Sequence, residues 1–115
     1  MAQQLLIDYY ECNYKALNDI NFLKHVVTEI VKIIDAKIVK EEFHLFKPYG
    51  ITYFAIISKS HISIHTWPED KIVAVDIFSC ENIKVEKILE FLSKEFSTNK
   101  YKYNKIARIV KNVEI

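Results

Sequence analysis

Ser58-Lys59-Ser60-His61-Ile62-Ser63-Ile64-His65-Thr66-Trp67-Pro68-Glu69 packs two histidines and three serines into twelve residues. Within it Ile62 and Ile64 alternate with His61, Ser63 and His65. That period of two marks a half-buried strand with a polar face. Trp67-Pro68-Glu69 ends the strand, because proline cannot donate to a ladder and restricts the residue before it.

Strand patterns continue on both sides. Residues 51–58, 60–66 and 71–78 read as successive strands or one strand with a break, and Lys47-Pro48-Tyr49-Gly50, holding the only glycine, reads as a tight turn into the first of them. Residues 37–46, 5–10 and 101–113 read as three further strands. Two stretches repeat every three to four residues instead. Ile20, Leu23, Val27, Ile30 and Ile34 share one face of a helix that Asn18 or Asp19 can cap. Val85, Ile88, Leu89 and Leu92 do the same within a helix over residues 83–96. The expected fold is α+β, a two-layer sandwich of a largely antiparallel sheet with both helices on one face. The opposite sheet face is apolar as well. A homodimer closed by a two-fold axis is the simplest way to cover it.

Of the 115 residues, 50% are hydrophobic, enough for one core, so a single domain over residues 1–115 is expected. The formal net charge is +1 with both signs dispersed, which gives no footprint for nucleic acid or an anionic membrane. Residues 1–10 lack a basic stretch followed by an apolar core, and no apolar run reaches membrane-spanning length. A cytoplasmic protein is expected. Cys12 and Cys80 form neither a disulfide framework nor a CxxC pair, and each taken alone reads as buried apolar filler. His61 and His65 have no evident third metal ligand, so no metal is expected. Phe46 and Trp67 alone suit a core or a dimer interface, and His25 and His44 carry no case beyond packed or solvated side chains.

The run Ser60 to Glu69, together with Phe43-His44-Leu45-Phe46-Lys47-Pro48-Tyr49-Gly50, Val75-Asp76-Ile77-Phe78-Ser79-Cys80, Tyr10-Glu11-Cys12-Asn13 and Leu17-Asn18-Asp19, resembles the small prokaryotic S-adenosylmethionine decarboxylases. Members of that family are proenzymes that cut themselves. The resemblance implies cleavage between Lys59 and Ser60 into residues 1–59 and 60–115, with Ser60 becoming a pyruvoyl group that takes the part pyridoxal phosphate plays elsewhere. It gives His65 the base role in processing, Thr52 the hydroxyl that stabilises the processing intermediate, and Cys80 the proton returned to the product. It assigns Phe46 and Trp67 to an aromatic wall against adenine, Glu69 to the ribose hydroxyls and Asp8 to the substrate. The expected partner is a small-molecule substrate, S-adenosylmethionine, whose decarboxylated form donates aminopropyl groups in polyamine synthesis. L-ornithine or L-arginine is the rival substrate, and an unprocessed, silent homologue is the rival from another class.

Unbroken alternation from Ser60 sets Ser60 and His65 on opposite sheet faces. The family resolves this with sites between protomers, which would put Ser60 and Cys80 of one chain against Phe46, His65 and Glu69 of the other. Three positions depart from the family pattern. Lys59 replaces a glutamate and reverses a charge beside the reaction centre. Ile51-Thr52-Tyr53 replaces Val-Ser-Gly, so the Tyr53 ring is expected to take volume from the pocket. Asp8 replaces a longer glutamate.

Overall fold

The computed structural model describes residues 2–109. Six strands, β1 (Ala2–Tyr10), β2 (Ile38–Leu45), β3 (Ile51–Ile57), β4 (Ser60–Trp67), β5 (Ile72–Ser79) and β6 (Lys100–Arg108), form one sheet in the order β2-β3-β4-β5-β1-β6. Every neighbouring pair is antiparallel. Among the described residues the helices are α1 (Tyr14–Leu17), α2 (Ile20–Ile33) and α3 (Val85–Glu95), with a single 3-10 turn at Pro68–Asp70. The expected α+β architecture is observed, with α2 and α3 on one face of the sheet.

Alternation decides which face each side chain takes. In β3 to β5, Tyr53, Ala55, Ile62, Ile64, Val75 and Ile77 are all fully buried, and they pack beneath α2 and α3. The helices meet them with Leu23, Val27 and Ile30 from α2 and Ile88 and Leu92 from α3, all at 0% exposure. Each such aliphatic burial contributes about 1.5–3 kcal/mol. Asp19 is the cap of α2, its Oδ1 accepting from Asn21 N at 2.9 Å and Phe22 N at 3.2 Å.

Asn18, the other candidate cap, closes α1 instead and lends its side chain elsewhere. Helix α1 itself was not expected, being a single turn capped by Asn13. The last strand begins at Lys100 and ends at Arg108, so the end of the expected strand falls partly outside the described residues.

The helix-free face carries the complementary set. Phe54, Ile56 and Trp67 are at least 40% exposed there, and His61 stacks on Phe54 at 5.3 Å with Phe78 at 5.5 Å on its other side. Among the described residues no helix is long and apolar enough to cross a membrane.

Candidate active site

Register sorts the candidate residues into two groups at opposite ends of β4. At the far end, Thr52 pairs with His65 across β3 and β4. Their side chains meet, with Thr52 Oγ1 3.1 Å from His65 Nδ1. Phe46, Tyr49, Trp67 and Glu69 surround this pair in a cleft of about 220 Å³. His65 and Trp67 rings lie 6.4 Å apart, and His44 meets Phe46 edge-on at 4.6 Å. His44 therefore flanks the cleft, though the sequence offered no reason to single it out.

A short loop positions Phe46 at the edge of the cleft. Phe46 N donates to Gly50 O at 2.8 Å, closing the turn between β2 and β3. Gly50 has φ +111°, a conformation suited to glycine, and a Cβ there would sit 3.4 Å from Thr66 O. Asn18 Oδ1 accepts from Gly50 N at 3.1 Å, and Thr66 Oγ1 accepts from Ile51 N at 2.9 Å. Asn18 and Thr66 are thus supports of the site that sequence reasoning missed. Asn18 reaches Gly50 from 32 residues away, a contact that no local pattern announces.

At the near end, Ser58 and Lys59 form the two-residue turn between β3 and β4, with Ile57 paired to Ser60. Ser60 has φ +142°, a backbone region that costs a non-glycine residue roughly 1–3 kcal/mol. The carbonyl of Lys59 accepts a hydrogen bond from Cys80 N at 2.9 Å. That N–H polarises the carbonyl joined to Ser60 nitrogen. Cys80 is exposed beside this turn, so it is not the buried filler its residue type alone suggests. Cys12 is buried, and desolvation pushes its thiol up to about 12.

Ser60 pairs with Ile57 and with Ser79, both buried on the helix side, whereas His65 pairs with Thr52 and Ala74 on the open face. Five residues of strand separate Ser60 from His65, about 16 Å along β4. Within one chain the two side chains do not meet. Asp8 shares the cross-strand row of Thr52, His65 and Ala74 on the open face, but two strand spacings, about 10 Å, set it apart from His65. His61 and His65, four residues apart on one face, are about 13 Å apart and do not converge.

One expectation about the departures is corrected. Tyr53 is fully buried on the helix side, its hydroxyl donating to Glu41 Oε1 at 2.8 Å, so its ring takes no volume from the cleft. Thr52 faces the cleft, and strand alternation turns the next residue away from it. The Lys59 charge is answered by Glu81, with Nζ 2.9 Å from Glu81 Oε1.

The sequence model of the family described as S-adenosylmethionine decarboxylase matches residues 3–109. The chain belongs to the S-adenosylmethionine decarboxylase family. It is 36% identical over 105 residues to a protein of Clostridium botulinum called S-adenosylmethionine decarboxylase proenzyme, covering 90% of each chain. Proteins of the same name from Acidithiobacillus ferrooxidans and Thermodesulfovibrio yellowstonii are 36% and 37% identical over 97 residues, or 84% of this chain and 73% and 72% of theirs. The crystal structure of the adenosylmethionine decarboxylase of Aquifex aeolicus superposes with a TM-score of 0.81 at 21% identity, covering 97% of both chains. That likeness concerns the shared decarboxylase-family fold.

Proposed function

We propose that this protein is a self-processing, pyruvoyl-dependent S-adenosylmethionine decarboxylase that works as a homodimer. The observation that carries the reading is the strained Ser60, with the carbonyl before it already bound by Cys80 N–H. This arrangement suits cleavage at that bond. Attack by Ser60 Oγ on the Lys59 carbonyl carbon forms a C–O bond, breaks the C–N bond and moves the hydroxyl proton to the amine. Oxygen gains negative charge on the way, and an N–H aimed at it lowers the barrier. Removal of the Ser60 α-proton then expels the Lys59 carboxylate. Tautomerisation of the resulting dehydroalanine and hydrolysis leave a ketone and ammonia. His65, oriented by Thr52, suits the base role.

Once formed, the pyruvoyl group supplies an electron sink for decarboxylation. The chain's own residues bind, orient and move protons. Phe46 and Trp67 offer flat apolar surfaces to a purine, and Glu69 can accept from both hydroxyls of a cis-diol. Cys80, exposed beside Ser60, suits return of a proton to the product carbon.

A composite site explains why these groups lie apart. The cleft of about 220 Å³ falls short of the roughly 300–1,000 Å³ of ligand sites. Trp67 and Phe46 are 44% and 50% exposed in the single chain. A second copy laid on the apolar open face would cover them, and an antiparallel arrangement of the two sheets would set the partner's β3–β4 turn, at the end of the strand where face parity no longer binds, beside this cleft.

The case for ornithine or arginine rested on Lys59 and Tyr53. With Lys59 neutralised by Glu81 and Tyr53 beneath the helices, neither favours a linear basic substrate. Carbon dioxide release measured in parallel with S-adenosylmethionine, L-ornithine and L-arginine tests the function. Release from S-adenosylmethionine alone is expected; release only from an amino acid would reverse the assignment.

A further inference from the structure

Lys59 is held at both ends by one short segment. Its carbonyl accepts from Cys80 N at 2.9 Å, and its ammonium lies 2.9 Å from the carboxylate of the next residue, Glu81. The same ammonium donates to Ile34 O at 3.1 Å, where α2 ends and its orphan carbonyls point outward. Glu81 is itself seated, its N–H donating to Ser79 Oγ at 3.1 Å. On the other side of the turn, Ser58 N donates to Lys37 O at 2.8 Å and Lys37 N to Ser58 Oγ at 3.0 Å. Three parts of the fold therefore grip a two-residue turn that precedes a strained serine.

We propose that the Lys59–Glu81 ion pair is a positioning device for self-cleavage, with Glu81 as a positioning residue that keeps the Lys59 carbonyl on the Cys80 N–H while Ser60 attacks it. The inference rests on the self-cleavage reading and deepens it. Attack needs the carbonyl carbon, the hydroxyl oxygen and the N–H donor held in register while charge gathers on the carbonyl oxygen. A free Lys59 side chain would let the turn drift off that donor. Tethering the ammonium to the residue that follows the donor ties carbonyl and donor into one unit.

The alternative role, a stabilising ion pair alone, predicts a different pattern. The Glu81 side chain is 63% exposed, and exposed pairs add little to global stability. Loss of the pair should leave Tm within about 2 °C of wild type, yet slow cleavage about tenfold. Lys59→Met keeps the apolar stem without the charge, and Lys59→Arg keeps a donor for both Glu81 and Ile34.

The experiment follows newly synthesised full-length chains by denaturing intact-mass measurement and fits the rate of cleavage between residues 59 and 60. Tm of each variant is recorded on chains that also carry Ser60→Ala. The expected result is about tenfold slowing in both Glu81→Gln and Lys59→Met, a double variant no slower than either single one, near-native Tm, and a rate kept by Lys59→Arg. Wild-type cleavage by Glu81→Gln would overturn the proposal, as would additive slowing in the double variant or slowing that tracks a fall in Tm. An intact wild-type chain would overturn the self-cleavage reading first and this inference with it.

Discussion

Thr52 Oγ1 and His65 Nδ1 lie 3.1 Å apart across β3 and β4, so the imidazole is oriented by a side chain of the neighbouring strand. A hydrogen bond at Nδ1 leaves Nε2 available for proton transfer and fixes the ring plane. His65→Ala should slow cleavage about a hundredfold or more, in the range of general base catalysis. Thr52→Val should slow it less, and Thr52→Ser should keep it. Intact-mass time courses check all three, and wild-type cleavage by His65→Ala would remove the base assignment.

The separation of Ser60 from His65 by about 16 Å along one strand makes a dimer prediction. Co-expressed Ser60→Ala and His65→Ala chains, each inactive alone, should regain partial processing when mixed dimers form. One of their two sites would then hold an intact serine and an intact histidine. No recovery in verified mixed dimers would argue for sites within single chains.

Much of this arrangement was legible in the residues. Alternation through Ser60 to Thr66 yielded strand, face and parity together, because a side-chain period of two leaves no freedom once one face is buried. The same parity, carried from Thr52 to Tyr53, would have turned the Tyr53 ring out of the cleft. Helix α1 was hidden because four residues are too few to display a period. The Lys59–Glu81 pair joins a hairpin turn to the end of a strand 22 residues later, a contact set by tertiary register that no local pattern encodes. Cys80 looked like filler by residue type, but its place past the buried end of β5 exposes it.

Tyr53 gives a stability prediction that separates the two sheet faces. Tyr53→Phe removes the hydrogen bond to Glu41 and should cost about 1 kcal/mol, read by chemical denaturation. Cleavage rate and substrate preference should not change, because the ring lies under the helices. A shift in substrate preference would return Tyr53 to the pocket.

Asp76 sits half-buried on the open face, where desolvation raises its carboxyl above the usual carboxylate range; His65 and His61 oppose that rise and Asp8 adds to it. A raised carboxyl pKa favours folding while the group is protonated. That contribution is full below its ordinary value of 3.8 and is lost as pH rises through the folded value. Asp76→Asn should therefore raise Tm relative to wild type at pH 7, with the gap closing under acid conditions. A lower Tm for Asp76→Asn at pH 7 would mean that the ionised carboxylate is held by a cation.

The central claim is that this chain cuts itself before Ser60. A denaturing mass spectrum of the purified wild-type protein, after prolonged incubation at its working temperature, tests it directly. The account predicts two species, residues 1–59 and residues 60–115, the second lighter by one ammonia than a serine-terminated peptide. A single intact chain with unmodified Ser60 would contradict it.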